Sequence, residues 1–184
     1  MISLHREGSR PGRSRFAGFT LMEVMVALSI FAVALAIAVP SVNSYIGTAR
    51  ASSLAADMLV ATRVARSEAV VRGAKVTLCA ASAANGSTCA TASPNWANGW
   101  VLVQSDGTTV IKQWGAMTNM TATGSWNGVA KIDFTGATGA ASSSSNPTFP
   151  VALNLCPSGL TGTTGATINL SANGRSTTNV YSGC

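Results

Sequence analysis

The chain has 184 residues, enough for one modest domain and an anchor, with 47% hydrophobic and only 10% charged residues. That charge content is low for a soluble domain. The formal net charge is +6, but Arg6, Arg10, Arg13, Arg15 and Glu7 all precede Gly18; the remainder carries eight bases against five acids, and a residual +3 argues against a strongly basic nucleic-acid protein.

Residues 1–18, MISLHREGSRPGRSRFAG, form a polar, basic leader. An apolar run follows from Phe19 to Val39, about long enough to cross a bilayer as a helix. Arginines on its N-terminal flank hold that flank in the cytoplasm and send the rest of the chain outside. A plain signal peptide, cut at the Ala36-Ile37-Ala38 triplet to leave Val39 first, is the competing reading. Against it, the run is longer than a usual signal core and contains Glu23, an acid that costs about 3 kcal/mol unpaired in lipid.

Beyond Pro40 the helical pattern resumes. Leu54, Met58, Ala61, Ala65 and Ala69 recur at helical spacing and form one apolar stripe, with Arg63 and Arg66 off it. Glu68 and Arg72 stand at i,i+4, where they can pair, and Gly73 is a helix stop. The spacing thus predicts one helix over 19–73, roughly 80 Å long at 1.5 Å per residue. Its first half, 19–39, is the membrane segment, and its second half packs the stripe on a domain. Pro40 is expected to loosen or kink the junction.

From residue 74 the pattern turns to short strands, predicted at 75–80, 100–104, 108–114, 129–134, 149–156, 166–171 and 175–181. Alternation is clearest in Val151/Leu153/Leu155 and in Ile132/Phe134, with Lys131 and Asp133 facing out. Ser105-Asp106-Gly107-Thr108 reads as a hairpin turn, and 135–147 and 158–167 as low-complexity loops. The fold class is therefore α+β: a long helix against antiparallel sheet.

Four cysteines follow the leader: Cys79, Cys89, Cys156 and Cys184. An even count in a Gly-, Ser- and Thr-rich domain points to two disulfides in an oxidising compartment, and no C-x-x-C spacing supports zinc. Of the three pairings, Cys79–Cys89 with Cys156–Cys184 closes the shortest loops and is favoured.

The stretch GFTLMEVMVALSIFAVALAIAVP, from Gly18 to Pro40, resembles a type IV prepilin signal: a basic leader, Gly18 before the cut, aromatic Phe19 after it, Glu23 five residues in, and a proline at Pro40. That resemblance implies cleavage after Gly18 by a prepilin peptidase and N-methylation of Phe19. It also implies a role for Glu23, which in a filament would meet the ammonium of a neighbouring subunit's Phe19, an ion pair that offsets desolvation only in the right register. VARSEAVVRGAKVTLCAAS, the block Trp96-Gly99-Trp100 and the C-terminal ANGR before Cys184 resemble the FimT/GspH family of minor pilins and minor pseudopilins. Such a subunit would sit in the inner membrane with a periplasmic β-rich domain at 74–184. Its partners would be other minor subunits and the major subunit. The two Trp residues also read simply as core aromatics at a turn into a strand.

No enzyme chemistry is legible. The only histidine, His5, lies in the leader, the many serines have no imidazole partner, and there is no phosphate-binding loop or metal-ligand cluster. Asp57 and Glu68 are about three helical turns apart, too far to share a site. No catalytic residue, metal or cofactor is expected. Some FimT-type members bind DNA through a C-terminal Gly-Arg-x-Arg stretch. Here it reads Gly174-Arg175-Ser176-Thr177, so the second arginine is missing. Lys112 and Lys131 would add charge if they gathered around Arg175, while the helix arginines are expected to lie against the sheet or beside acids. DNA binding is thus the alternative to a structural assembly subunit, and is not favoured. Between a pilus and a secretion pseudopilus, the disulfides and Arg175 lean toward the pilus.

Overall fold

The computed structural model describes residues 18–91, 94–143 and 148–184. The leader 1–17 and its arginines, together with residues 144–147 of the predicted loop, lie outside the described residues. Helix α1 runs Leu21–Arg72. The chain divides into two compact units, 1–40 and 41–184, so the division falls within α1 at Pro40, whereas the predicted break at 73/74 is the end of an element. The helical assignment continues through Pro40, whose side chain lies outside the described residues.

In the larger unit, Ala51, Ala55, Met58, Ala61, Ala65 and Ala69 are buried along one face of α1, and Gly47 extends the same line. Leu54, expected to begin the stripe, is only half-buried beside it. The stripe is made of small residues because the helix lies close to the sheet. A Cβ on Gly47 would stand 2.9 Å from the Pro157 side chain. Met58 is the one large side chain in the line. The helix ends at Gly73, whose φ of +60° suits glycine. The Gly73 N–H donates to the Val70 carbonyl and the Ala74 N–H to the Ala69 carbonyl, a Schellman closure that satisfies the last turn. Arg72 pairs with Glu68 at 2.7 Å.

Among the described residues nine strands follow: β1 (Val76–Ala80), β2 (Trp100–Val103), β3 (Val110–Trp114), β4 (Met120–Thr123), β5 (Lys131–Phe134), β6 (Ala141–Ser142), β7 (Val151–Pro157), β8 (Gly165–Leu170) and β9 (Ser176–Tyr181). They form two antiparallel sheets, in the orders β3-β2-β1-β5-β6 and β4-β7-β8-β9. Seven of them overlap the predicted strands. β4 and β6 were not legible from the pattern: β4 buries little beyond Met120, and β6 has two residues inside the low-complexity stretch. β8 also begins one residue earlier than predicted, inside the second such stretch.

β1 is buried at every position because both its faces are covered. Val76, Leu78 and Ala80 enter the main core, while Cys79 joins Ala81, Val101 and Val103 in a small second cluster on the other face. The Cys79–Cys89 disulfide closes that cluster. A second disulfide, Cys156–Cys184, fastens the C-terminus to β7. Trp96 and Trp100 are core residues. Trp96 packs edge-on to Trp126 with centroids 5.6 Å apart and donates its indole N–H to the Val129 carbonyl at 3.0 Å. Trp100 stacks on its cross-strand partner Trp114 at 6.2 Å.

Candidate functional site

Two regions carry residues that neither the core nor the turns account for. The first is the start of α1. Gly18 to Thr20 precede the helix, and the Thr20 hydroxyl accepts a hydrogen bond from the Glu23 N–H at 3.2 Å, which makes Thr20 the N-cap. Glu23 therefore lies in the first turn, where the unpaired N–H groups favour a negative charge. Phe19 is 81% exposed, and α1 is exposed on all sides from Leu21 to Ala38. By length and composition this segment can cross a membrane. Glu23 shares a shallow depression with Phe19, Val24, Ala27, Leu28 and Phe31. Among the described residues no base pairs with it. An unpaired carboxylate on an apolar rod is costly wherever lipid surrounds it.

The second region joins the far end of α1 to the turn between β8 and β9. Thr62 is buried, and its hydroxyl donates to the Leu59 carbonyl at 2.9 Å. The same oxygen lies 2.6 Å from the Ser176 hydroxyl at the start of β9. Because the Thr62 proton is already directed at Leu59, Ser176 is the donor in that pair. The neighbours of these two residues, Arg63 and Arg175, consequently flank one polar cleft of about 380 Å³, together with Arg66. The Arg66 stem runs against Gly139 and Gly174; a Cβ on Gly139 would sit 2.5 Å from Arg66 Cγ. Arg175 leaves a tight turn in which its N–H donates to Asn173 Oδ1 at 3.0 Å and its carbonyl accepts from the Ser171 N–H.

The expected gathering of lysines around Arg175 does not occur. Lys112 lies on β3 with its Nζ 5.1 Å from the Trp114 ring centre, and Lys131 lies on β5 opposite Cys79. Neither lines the cleft. Of the helix arginines, expected to lie against the sheet or beside acids, Arg72 pairs with an acid and the Arg66 stem packs on Gly139 and Gly174 beside the sheet. Arg63 and Arg66 are exposed, and the ion pairs among the described residues are Arg72–Glu68 and Lys75–Asp133, the latter at 3.5 Å. The i,i+3 spacing of Arg63 and Arg66 placed them on one helix face in the sequence, but nothing local indicated which loop that face meets.

Two further acids are tied into structure. Asp133 accepts from the Thr77 hydroxyl at 2.6 Å. Asp106, in the β2–β3 turn, is held down at about 2 by the Thr109 hydroxyl and by the N–H groups of Thr109 and Thr108. Among the described residues, no three His, Cys, Asp or Glu side chains come together as a metal site.

The comparisons with known proteins match this division of the chain. The prokaryotic N-terminal methylation motif matches residues 13–39. The family described as type II transport protein GspH matches residues 54–180. Two crystal structures of the type IV minor pilin FimU from Pseudomonas aeruginosa strain PAO1 share the fold, each at a TM-score of 0.51. One, in space group P21, is 22% identical and is aligned over 70% of this chain and 87% of its own. The other, in P65, is 23% identical, over 70% and 91%. A search of curated protein sequences returns no match. With its methylation motif and a family match across most of its length, the chain belongs to the GspH family, described as type II transport protein GspH.

Proposed function

We propose that this subunit is cut after Gly18 by a prepilin peptidase, N-methylated on Phe19, and held in the inner membrane by residues 19–39 with its β domain in the periplasm. From there it enters the initiating or capping end of a type IV pilus or a type II secretion pseudopilus, beside other minor subunits and the major subunit. It works as a structural part rather than an enzyme. Both disulfides suit the oxidising periplasm. Pro40, at the boundary of the two units, gives the helix a site at which a backbone hydrogen bond is missing.

The observation that carries the reading is Glu23. It stands in the first turn of an apolar helix, paired with no base among the described residues, four residues from the chain end that cleavage after Gly18 would create. The new Phe19 ammonium of an adjacent subunit is a cation of the right charge at the right depth. Pairing the two in a bundle of such helices rewards one register and penalises others. The test is Glu23→Val. Loss of a charge favours insertion, so the variant is expected to reach the membrane at normal abundance but to be depleted from purified filaments. Normal recovery with filaments would remove the pairing role. DNA binding is the less favoured reading, because Thr177 stands where the second arginine of the Gly-Arg-x-Arg stretch would be.

A further inference from the structure

The outer sheet edges of this fold are not equally protected. β3 carries Lys112 and adjoins a register shift between Leu102 and Val103, β6 has two residues, and β4 has four. Charges, bulges and shortness are the usual devices that keep an edge from pairing. β9 has none of them. It pairs with β8 over six residues, from Gly165 opposite Tyr181 to Leu170 opposite Ser176, without a register shift. Among the described residues no other strand lies on its far side. Thr177, Thr178, Asn179 and Val180 are all exposed, Val180 at 78%. Alternate residues of an antiparallel edge strand direct both their N–H and C=O away from the sheet.

A groove lies between α1 and the paired strands β8 and β9. One part, about 420 Å³, is floored by Ser52, Ala55, Ala56 and Leu59 and walled by Gly165 and Ala166 of β8 and by Thr178 to Val180 of β9. It shares Leu59 and Thr178 with the arginine cleft, so the two adjoin. From Ser52 to Arg66 the groove follows about 21 Å of helix. A six-residue strand spans about 20 Å. The floor is small and uncharged, and the charge is concentrated at one end, in Arg63, Arg66 and Arg175.

We infer that this groove receives an extended peptide segment of another protein, added as a strand to the free edge of β9, with a carboxylate at the end that meets the three arginines. The main-chain hydrogen bonds of β9 supply the attachment, and the arginines set the direction of the incoming strand. Small side chains of that strand lie on Ala55 and Ala56. A nucleic acid fits less well, because phosphates carry charge along their whole length while the groove is uncharged from Ser52 to Leu59.

The test uses the full-length chain in detergent micelles and a fluorescent synthetic peptide of about eight residues, alternating threonine and valine and ending in two aspartates. Fluorescence anisotropy is expected to show saturable binding. Replacing the aspartates by lysines should abolish it, and N-methylating alternate peptide amides should weaken it at least about tenfold, with the protein unaltered. The double variant Arg63→Gln and Arg175→Gln, both at exposed positions, should weaken it about tenfold while the far-ultraviolet circular dichroism stays the same. The proposal is overturned by absence of saturable binding, or by equal affinity for the N-methylated peptide. It is overturned equally by unchanged affinity of the double variant, or by a single-stranded oligonucleotide that binds more tightly than the peptide and displaces it.

Discussion

Ser176 donates a buried 2.6 Å hydrogen bond to Thr62, across 114 residues of chain. This bond ties α1 to the start of β9, next to Arg63 and Arg175. The two partners are not equivalent. Ser176→Ala leaves Thr62 bonded to the Leu59 carbonyl and should cost about 1 kcal/mol. Thr62→Val strips the Ser176 donor of its acceptor in a closed space and should cost about 1–3 kcal/mol. Combining the two should cost less than their sum. Denaturant unfolding of all three variants measures the cycle, and strict additivity would contradict the bond.

The stripe on α1 makes a second prediction. Met58 is fully buried among alanines and is the one side chain there long enough to leave a sizeable hole. Met58→Ala should destabilise the β domain by about 2–5 kcal/mol. Gly47→Leu should fail differently, by forcing α1 away from Pro157, a close approach that leaves no room for a Cβ. Thermal unfolding reports both. A Gly47→Leu protein with wild-type stability would show that the helix does not lie this close.

Much of this arrangement was legible before the structure. Helix ends are set by local chemistry, so Gly73 could be read directly, as could the turn at Asp106-Gly107. β7 was clear because Val151, Leu153 and Leu155 face the core and their neighbours do not. β4 and β6 were not, because edge strands this short are held by their partners' registers and bury almost nothing of their own. The arginine cleft was missed for a related reason. Arg63, Arg66 and Arg175 are brought together by contacts between segments far apart in sequence, among them the Thr62–Ser176 bond and the close packing of Arg66 on Gly139 and Gly174. Lys112 and Lys131 were reasonable companions for Arg175 by proximity along the β domain, but they lie in the other sheet.

Asp106 offers a prediction in pH. Its carboxylate is held at about 2, below the ordinary 3.8, chiefly by the Thr109 hydroxyl and then by the backbone N–H groups of Thr109 and Thr108. A folded value below the unfolded one means that this group's contribution is complete above about pH 4 and is lost as pH falls toward 2. Carbon-detected NMR of the side-chain carboxyl should show a midpoint near 2. Thr109→Val should raise it toward the ordinary value. A wild-type midpoint near 4 would show that the turn does not bind the carboxylate.

The central claim is that the exposed apolar segment beginning at Phe19 is the assembly end of a processed pilin-like subunit. Intact-mass and N-terminal analysis of the protein extracted from its native membrane tests it most directly. The account predicts a chain that begins at Phe19, carries one added methyl group on its terminal nitrogen, and retains both disulfides. A chain that begins at Val39 would contradict it, because a cut there removes Glu23 and the whole apolar segment.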